Sequence, residues 1–283
     1  MQSIDMQIAP RGSSIYYSLL FVNAKQRYAI SIVRSFAKEV GEIILNCSDR
    51  SVALNKFLWW QGEFQQLVST TPTHPITQAL QIIIEQFNLP IELFQEFLTG
   101  VEHDLQTEFY NTIDDLNHYH HHTAGAIERI IAYILAYTDV HTLTAVNHFG
   151  ICIRMVRLLR DLRKVLTHNH CYISLDDLSK SQLSISQLNN MVMTKEIYTL
   201  LNLQADRARH HYQKAIDQLP SVDRYKQSSI IILAELSLKL LDQVISPSSN
   251  LFKEYISLTP LRKLFLSWQV QRREKKYFKM IIL

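Results

Sequence analysis

The chain has 283 residues, 47% of them hydrophobic, which is enough for one large core. A formal net charge of +3 is small, and no basic stripe interleaved with aromatics runs through the body, which argues against nucleic acid as a partner. No segment reaches the ~18 unbroken apolar residues of a bilayer span, and only six Gly and seven Pro interrupt the chain. With no run alternating at a period of two, the expected fold class is all-α. Cys47, Cys152 and Cys171 are odd in number and widely spaced, which favours reduced core thiols and a cytoplasmic setting over a disulfide or metal role. The first fourteen residues lack the basic end and apolar run of a secretory signal.

In chain order, a loop with Pro10 and Gly12 leads into Ser13 to Ser18, and a helix is expected from near Asn23 to about Leu45. Its apolar face carries Ala29, Ile30, Val33, Ala37 and Val40, beside a polar row of Arg34, Lys38 and Glu42 spaced four apart. A turn at Asn46 to Asp49 precedes a helix with Trp59-Trp60 that ends before Pro72 and Pro75. Pro75 to Phe87 and Pro90 to Leu105 read as two helices, each opened by proline. The second closes on Glu102-His103-Asp104. A further helix is expected over Ile113 to Tyr137, with His118, His120, His121 and His122 on partly exposed surface; lacking Cys partners, or carboxylates at a ligand's spacing, this tract is a weak metal signal.

The stretch from Phe149 to Ser174 is apolar on almost every side at its start, as in a helix buried at the centre of a domain. Charges nevertheless run along it. Arg154, Arg157 and Asp161 stand at i, i+3 and i+7 on one face, with Arg160 and Lys164 on the adjoining row. Because unpaired buried charge costs several kcal/mol, that stripe must meet a polar cavity, a ligand or opposing carboxylates. A loop to about Ile185 carries Tyr172. Helices at about Ser186 to Leu219 and Val222 to Ile245 follow, then a Pro247 to Asn250 linker and a last helix with Thr259 as N-cap and Pro260 at its first position. No internal repeat, Gly-rich phosphate loop, nucleophile elbow or zinc-type Cys/His spacing is present.

Taken together, Gly12 to Ser18, the Ala29-Ile30 helix, Trp59-Trp60, Gly100 to Leu105, Ala124-Gly125, Tyr137 to Asp139, Arg160-Asp161, Tyr172 and Ser257 to Leu264 resemble the squalene/phytoene synthase family, in particular its bacterial presqualene diphosphate synthase branch. The resemblance covers almost the whole chain. It implies one all-α domain over residues 1–283, an isoprenoid-synthase-type bundle whose central cavity receives two prenyl diphosphates. It also implies Tyr16, Tyr172 and Arg160 as family-equivalent catalytic positions. Departures fall on the chemistry. The first metal-binding motif, of the form DDxxD, is Gly41-Glu42-Ile43-Ile44-Leu45 here, and the second, DxxxD, keeps Asp161 but has Val165 at its other end. Arg34, Lys38, Arg154 and Arg157 replace tyrosine, arginine, glutamine and asparagine, Glu128 takes a small glycine position, and Ser237 replaces a tyrosine.

Mg²⁺ needs several oxygen ligands to assist departure of a diphosphate. Glu42 and Asp161 are a residual and insufficient pair, so the expected function is a non-catalytic binding or assembly module that needs no cofactor. The alternative is an active Mg²⁺-dependent synthase of presqualene diphosphate, squalene or phytoene. Arg34, Lys38, Arg154, Arg157 and Arg160 form the expected substrate-binding set. Five cations converging on one site require compensation, either by Glu39, Glu42, Glu128 and Asp161 as an internal plug, which is the favoured expectation, or by an anion. Expected partners are a prenyl diphosphate, an anionic lipid or a protein. The basic and aromatic end of the chain, from Arg262 to Leu283, is either a solvated packing helix or a peripheral contact with an anionic membrane.

Overall fold

The computed structural model describes residues 9–47 and 49–282, with side chains to residue 280. The opening residues 1–8, Ser48 in the expected turn, and the side chains of the closing Ile281, Ile282 and Leu283 lie outside the described residues. Helices account for most of what is described; the only β-type pairing among those residues is an isolated parallel bridge between Phe109 and Cys171.

A short α1 (Ser14–Ser18) is capped by the Ser13 hydroxyl, and α2 (Ala24–Gly41) by Asn23, whose side chain accepts from the Gln26 N–H. The buried stripe of α2 is Ala29, Ile30, Ile32, Val33, Phe36 and Val40, as its spacing predicts. The helix does not run on to Leu45. It breaks at Glu42 (φ −107°, ψ 6°) and resumes as α3 (Ile43–Asn46). Next come α4 (Arg50–Ser69), α5 (Pro75–Phe87) and α6 (Ile91–Gln106). Pro75 occupies the first turn of α5 as expected, whereas Pro90 is the N-cap of α6.

The segment expected as one helix over Ile113 to Tyr137 is α7 (Ile113–His120), a π-helical turn (His121–Gly125) and α8 (Ala126–Leu135). Gly150 faces that π turn from the central helix α9 (His141–Arg160). A Cβ on Gly150 would lie 2.6 Å from the Ala124 carbonyl oxygen and 2.9 Å from Glu128 Cγ, so only glycine permits this approach. Beyond α9 the chain breaks at Asp161 and continues as α10 (Leu162–Thr167).

The expected loop to Ile185 contains α11 (Leu175–Lys180), capped by Ser174. The expected Ser186 to Leu219 helix is two, α12 (Ile185–Asn189) and α13 (Lys195–Gln218), because the capping box of Ser184 with Gln187 and the Thr194 cap start separate helices. Turns occupy residues 221–227 before α14 (Ser228–Val244), and α15 (Pro260–Ile282) closes the fold. Cys152 and Cys171 are buried and Cys47 half-buried, all three free.

The central helix α9 packs chiefly on α13, α14, α8 and the π turn. Where α9 meets α13, His148 Nδ1 and His211 Nδ1 lie 3.0 Å apart, which requires one ring to donate and the other to accept. Burial, followed by the charges of His148, Lys214 and His210, pushes His211 from 6.5 down to about 4. Burial lowers His148 as well. The unfolded chain therefore binds more protons between about pH 6.5 and 4, and stability should fall as pH drops through that window. His211→Asn should flatten this part of a melting-temperature profile against pH followed by circular dichroism; an unchanged slope would assign the acid sensitivity to other groups.

Candidate functional site

A cavity of about 470 Å³, within the ~300–1,000 Å³ range of small-molecule sites, lies between α2, α8, α9, α14 and the segment leading into α15. Apolar wall is contributed by Phe97, Val101, Ile127, Val156, Leu233 and Leu240. Six cationic side chains also line it, Arg34 and Lys38 from α2, Arg154, Arg157 and Arg160 from α9, and Lys263 from α15, against two carboxylates, Glu42 and Glu128. The expected binding set therefore converges on one cavity. Lys263, expected from sequence as part of the basic end of the chain, is buried and lines this cavity instead.

Three of the cations are paired. Arg34 grips the buried Glu128 in a fork, Nη1 to Oε1 at 2.6 Å and Nη2 to Oε2 at 2.8 Å. Arg160 does the same with Asp161 at 2.8 and 2.7 Å. Arg157 donates to Glu42 and stands 3.9 Å from Asp161, so one guanidinium lies between the two acids expected to be residual metal ligands. The other three cations have no carboxylate partner among the described residues. Lys38 is exposed, Lys263 Nζ donates to the Gly12 carbonyl at 2.8 Å, and Arg154 Nη2 donates to Tyr119 Oη at 2.5 Å. Glu39, expected to join the pairing, is exposed.

The internal-plug expectation is thus corrected in its outcome. Glu128, Glu42 and Asp161 do pair with arginines, yet the cavity stays open and carries an excess of cations. Ser237, where the resemblance implies tyrosine, lines the cavity and returns its hydroxyl to the Leu233 carbonyl at 2.8 Å, leaving space a phenol ring would take.

Tyr16 and Tyr172 do not line this cavity. Tyr16 packs edge-on to Tyr17, with ring centroids 5.3 Å apart. Tyr172 is buried behind Tyr119, their rings stacked at 5.2 Å, and donates to Asp104 Oδ2 at 2.6 Å. Asp104 also accepts from Tyr110 Oη at 2.7 Å and faces His170 Nε2 at 3.0 Å. The Arg154 guanidinium lies 5.7 Å from the centroid of both the Tyr119 and the Tyr172 ring. Burial pushes Tyr119 up to about 12 against the pull of Arg154, and burial with the Asp104 charge raises Tyr172 well above the ordinary phenol value. Both phenols therefore keep their protons at neutral pH. Asp104 is buried in this network and half-buried Glu102 takes no part in it, so the two acids seen close in sequence do not share a site.

Leu45 and Val165, where the resemblance implies metal-binding aspartates, belong to one small buried cluster with Leu116, Leu158 and the rings of Tyr110, Tyr119 and Tyr172. Among the described residues no group of three His, Cys, Asp or Glu side chains is arranged to hold a metal ion. Mg²⁺, which takes about six oxygens in an octahedron, does not fit a donor set of two carboxylates already bound to arginines. The histidine tract is not uniformly surface either. His118 is exposed, whereas His120 is buried, and that burial keeps its value far below the histidine norm.

The family model described as squalene/phytoene synthase matches residues 8–264. The chain belongs to the squalene/phytoene synthase family. A phytoene synthase of Arthrospira platensis is 20% identical over 269 residues, covering 90% of this chain and 87% of that protein. The Mus musculus NADH dehydrogenase (ubiquinone) complex I, assembly factor 6, is 25% identical over 144 residues, which is 50% of this chain and 43% of that one. Among solved structures, a dehydrosqualene synthase in complex with ligand aligns with a TM-score of 0.75 at 16% identity, over 94% of this chain and 92% of that one. This family's helical fold is therefore the fold of the present chain.

The Arg34–Glu128 fork can be weighed directly. Glu128→Gln keeps the volume but leaves a mostly buried guanidinium without its counter-charge, and should cost about 2–4 kcal/mol in urea unfolding, allowing for the partial exposure of Arg34. Adding Arg34→Gln should recover much of that loss. Additive costs in the double variant would show that the two side chains are not coupled.

Proposed function

We propose that this family member does not catalyse prenyl transfer and instead uses the cavity as a metal-free binding site for an amphiphilic polyanion of the prenyl diphosphate class. The observation that carries this reading is the position of Arg157, whose guanidinium lies between Glu42 and Asp161. A cation stands between the only two acids left at the family's metal-binding segments, and it repels a second cation there. The burial of Leu45 and Val165 in an apolar cluster supports the same reading, because neither position offers an oxygen to the cavity.

Lys38, Arg154 and Lys263, free of carboxylate partners among the described residues, supply the attraction for phosphate oxygens, and the apolar wall suits a hydrocarbon chain. Arg154 is held by Tyr119 through an oxygen that accepts from it, so it stays a cation ready to donate its remaining N–H groups to an anion. Arginine forks and ammonium groups bind polyanions without the ordered water shell that Mg²⁺ demands. The partial match to a complex I assembly factor supports a binding or assembly role for such a cavity. The family match itself favours the second reading, an active Mg²⁺-dependent synthase joining two prenyl diphosphates.

Two measurements separate these readings. Purified protein given farnesyl or geranylgeranyl diphosphate with Mg²⁺ should release no diphosphate above background. Turnover that Asp161→Ala abolishes would establish the catalytic reading instead. In a chelator, farnesyl diphosphate should raise the melting temperature. Ligand at about 100 times its Kd adds ~2.7 kcal/mol, and each kcal/mol moves the midpoint by roughly 2–4 °C in domains approaching this size. Stabilisation that appears only when Mg²⁺ is supplied would overturn the metal-free site.

A further inference from the structure

The last helix presents two different faces. Lys263, Ser267, Val270 and Glu274, at i, i+4, i+7 and i+11, are buried against the bundle. Two of them anchor the helix, Lys263 through the Gly12 carbonyl and Glu274 through Arg224 Nε at 2.9 Å. On the opposite side an exposed stripe runs the length of α15, and its composition changes along the way. Its first turns carry Leu261 at 79% exposure, Leu264, Phe265 and Trp268 at 44%. Its last turns carry Arg272, Lys275, Lys276 and Lys279, all exposed and none in an ion pair among the described residues. The one acid of the helix, Glu274, is buried and taken up by Arg224 and Arg273. Four large apolar side chains on one exposed face are not explained by packing, and a face without a single exposed carboxylate is complementary to an anionic surface.

The same helix begins at the cavity. Tyr255, Ser257 and Leu258, just before α15, line it together with Lys263. Tyr255 is 74% exposed while lining the cavity, which marks that edge as the opening, and the Arg160 guanidinium lies 5.2 Å from its ring centroid.

We propose that α15 docks on an anionic bilayer, with Leu261, Leu264, Phe265 and Trp268 entering the headgroup boundary, Arg272, Lys275, Lys276 and Lys279 on the lipid phosphates and carboxylates, and the cavity mouth at Tyr255 brought to the lipid surface. An interfacial helix sinks its apolar face by ~5–10 Å and gains further attraction from each basic residue near anionic lipid. The Trp268 ring, with Arg272 stacked 4.6 Å from its centroid, suits the headgroup level, where one side is apolar and the other wet. Docking in this orientation gives a membrane-borne amphiphile a short path to the cavity. It goes beyond the cavity reading and does not depend on it, since polyanion binding is measured with dispersed ligand in vesicle-free buffer.

The test is co-sedimentation of the full chain with vesicles of phosphatidylcholine alone and of phosphatidylcholine mixed with phosphatidylserine. The unmodified protein should pellet with the mixed vesicles and less so as salt rises. Combined Arg272→Gln, Lys275→Gln, Lys276→Gln and Lys279→Gln should weaken that binding by roughly fivefold per charge removed. Phe265→Ser with Trp268→Ser should weaken it at every salt concentration. These side chains are exposed, so circular dichroism melting should show the variants folded, and a blue shift of tryptophan emission on adding mixed vesicles should disappear in Trp268→Phe. An unmodified protein that stays in the supernatant, or binding that either set of substitutions leaves unchanged, overturns the proposal. So does equal binding to heparin and mixed vesicles with no contribution from Phe265 and Trp268, which would make α15 a general polyanion site.

Discussion

Arg154, Arg157 and Arg160 project from the most heavily packed helix of the bundle into a partly buried space, and that charge has to be balanced before α9 can sit where it does. Balance is achieved piecewise. Arg160 takes the neighbouring Asp161, Arg157 reaches across to Glu42 beyond the end of α2, and Arg154 rests against the faces of Tyr119 and Tyr172. Arg34 and Glu128 make a separate fork between α2 and α8, with Gly150 on α9 leaving room for the glutamate's stem. The ion pairs thus fix the relative positions of α2, α8 and α9, the three helices that enclose the cavity on one side. Since a buried pair gains little net stability over an apolar pair of like volume, their stronger effect is on which arrangement the helices adopt.

Both acids that contact Arg157 lie where a helix stops. Glu42 ends α2 and Asp161 ends α9, each with backbone angles outside the helical region, and each is followed by a short helix. At these breaks Glu42 lines the cavity and Asp161 meets Arg157 and Arg160, while Leu45 and Val165 turn into a buried cluster. The chain keeps its family's helical framework, and at these two helix ends the acids meet arginines while Leu45 and Val165 meet hydrocarbon and tyrosine rings.

Behind the cavity wall, Asp104 accepts from the hydroxyls of Tyr110 and Tyr172 and faces His170, and the Tyr172 ring stacks with those of Tyr110 and Tyr119. A buried carboxylate with its lone pairs occupied by good donors is stable, and it also supplies a negative charge one ring away from Arg154. Arg154 therefore rests on a second layer that reaches the cavity only through Tyr119. Rigid backing of this kind keeps an arginine in place when no ligand is bound.

The sequence by itself determined the all-α class, most helix starts and the membership of the bundle, because these follow from local caps and from apolar spacing that any fold must bury. Asn23, Pro75 and Thr259 mark helix starts through interactions within a few residues, and the Ala29 to Val40 stripe needs only one apolar side to be correct. The convergence of Arg34, Lys38, Arg154, Arg157 and Arg160 was legible for the same reason, their spacing placing them on faces that the resemblance turns inward. What only the tertiary structure decided are the helix breaks at Glu42 and Asp161, the π turn at His121, the burial of Tyr172 behind Tyr119, and the contribution of Lys263. Most of these involve a partner far away in the chain: Glu42 meets Arg157, the π turn is approached closely by Gly150, Tyr172 bonds Asp104 and Lys263 bonds the Gly12 carbonyl. Whether the carboxylates would fill the cavity or only line it was likewise a matter of distances between helices, which side-chain identity and periodicity do not encode.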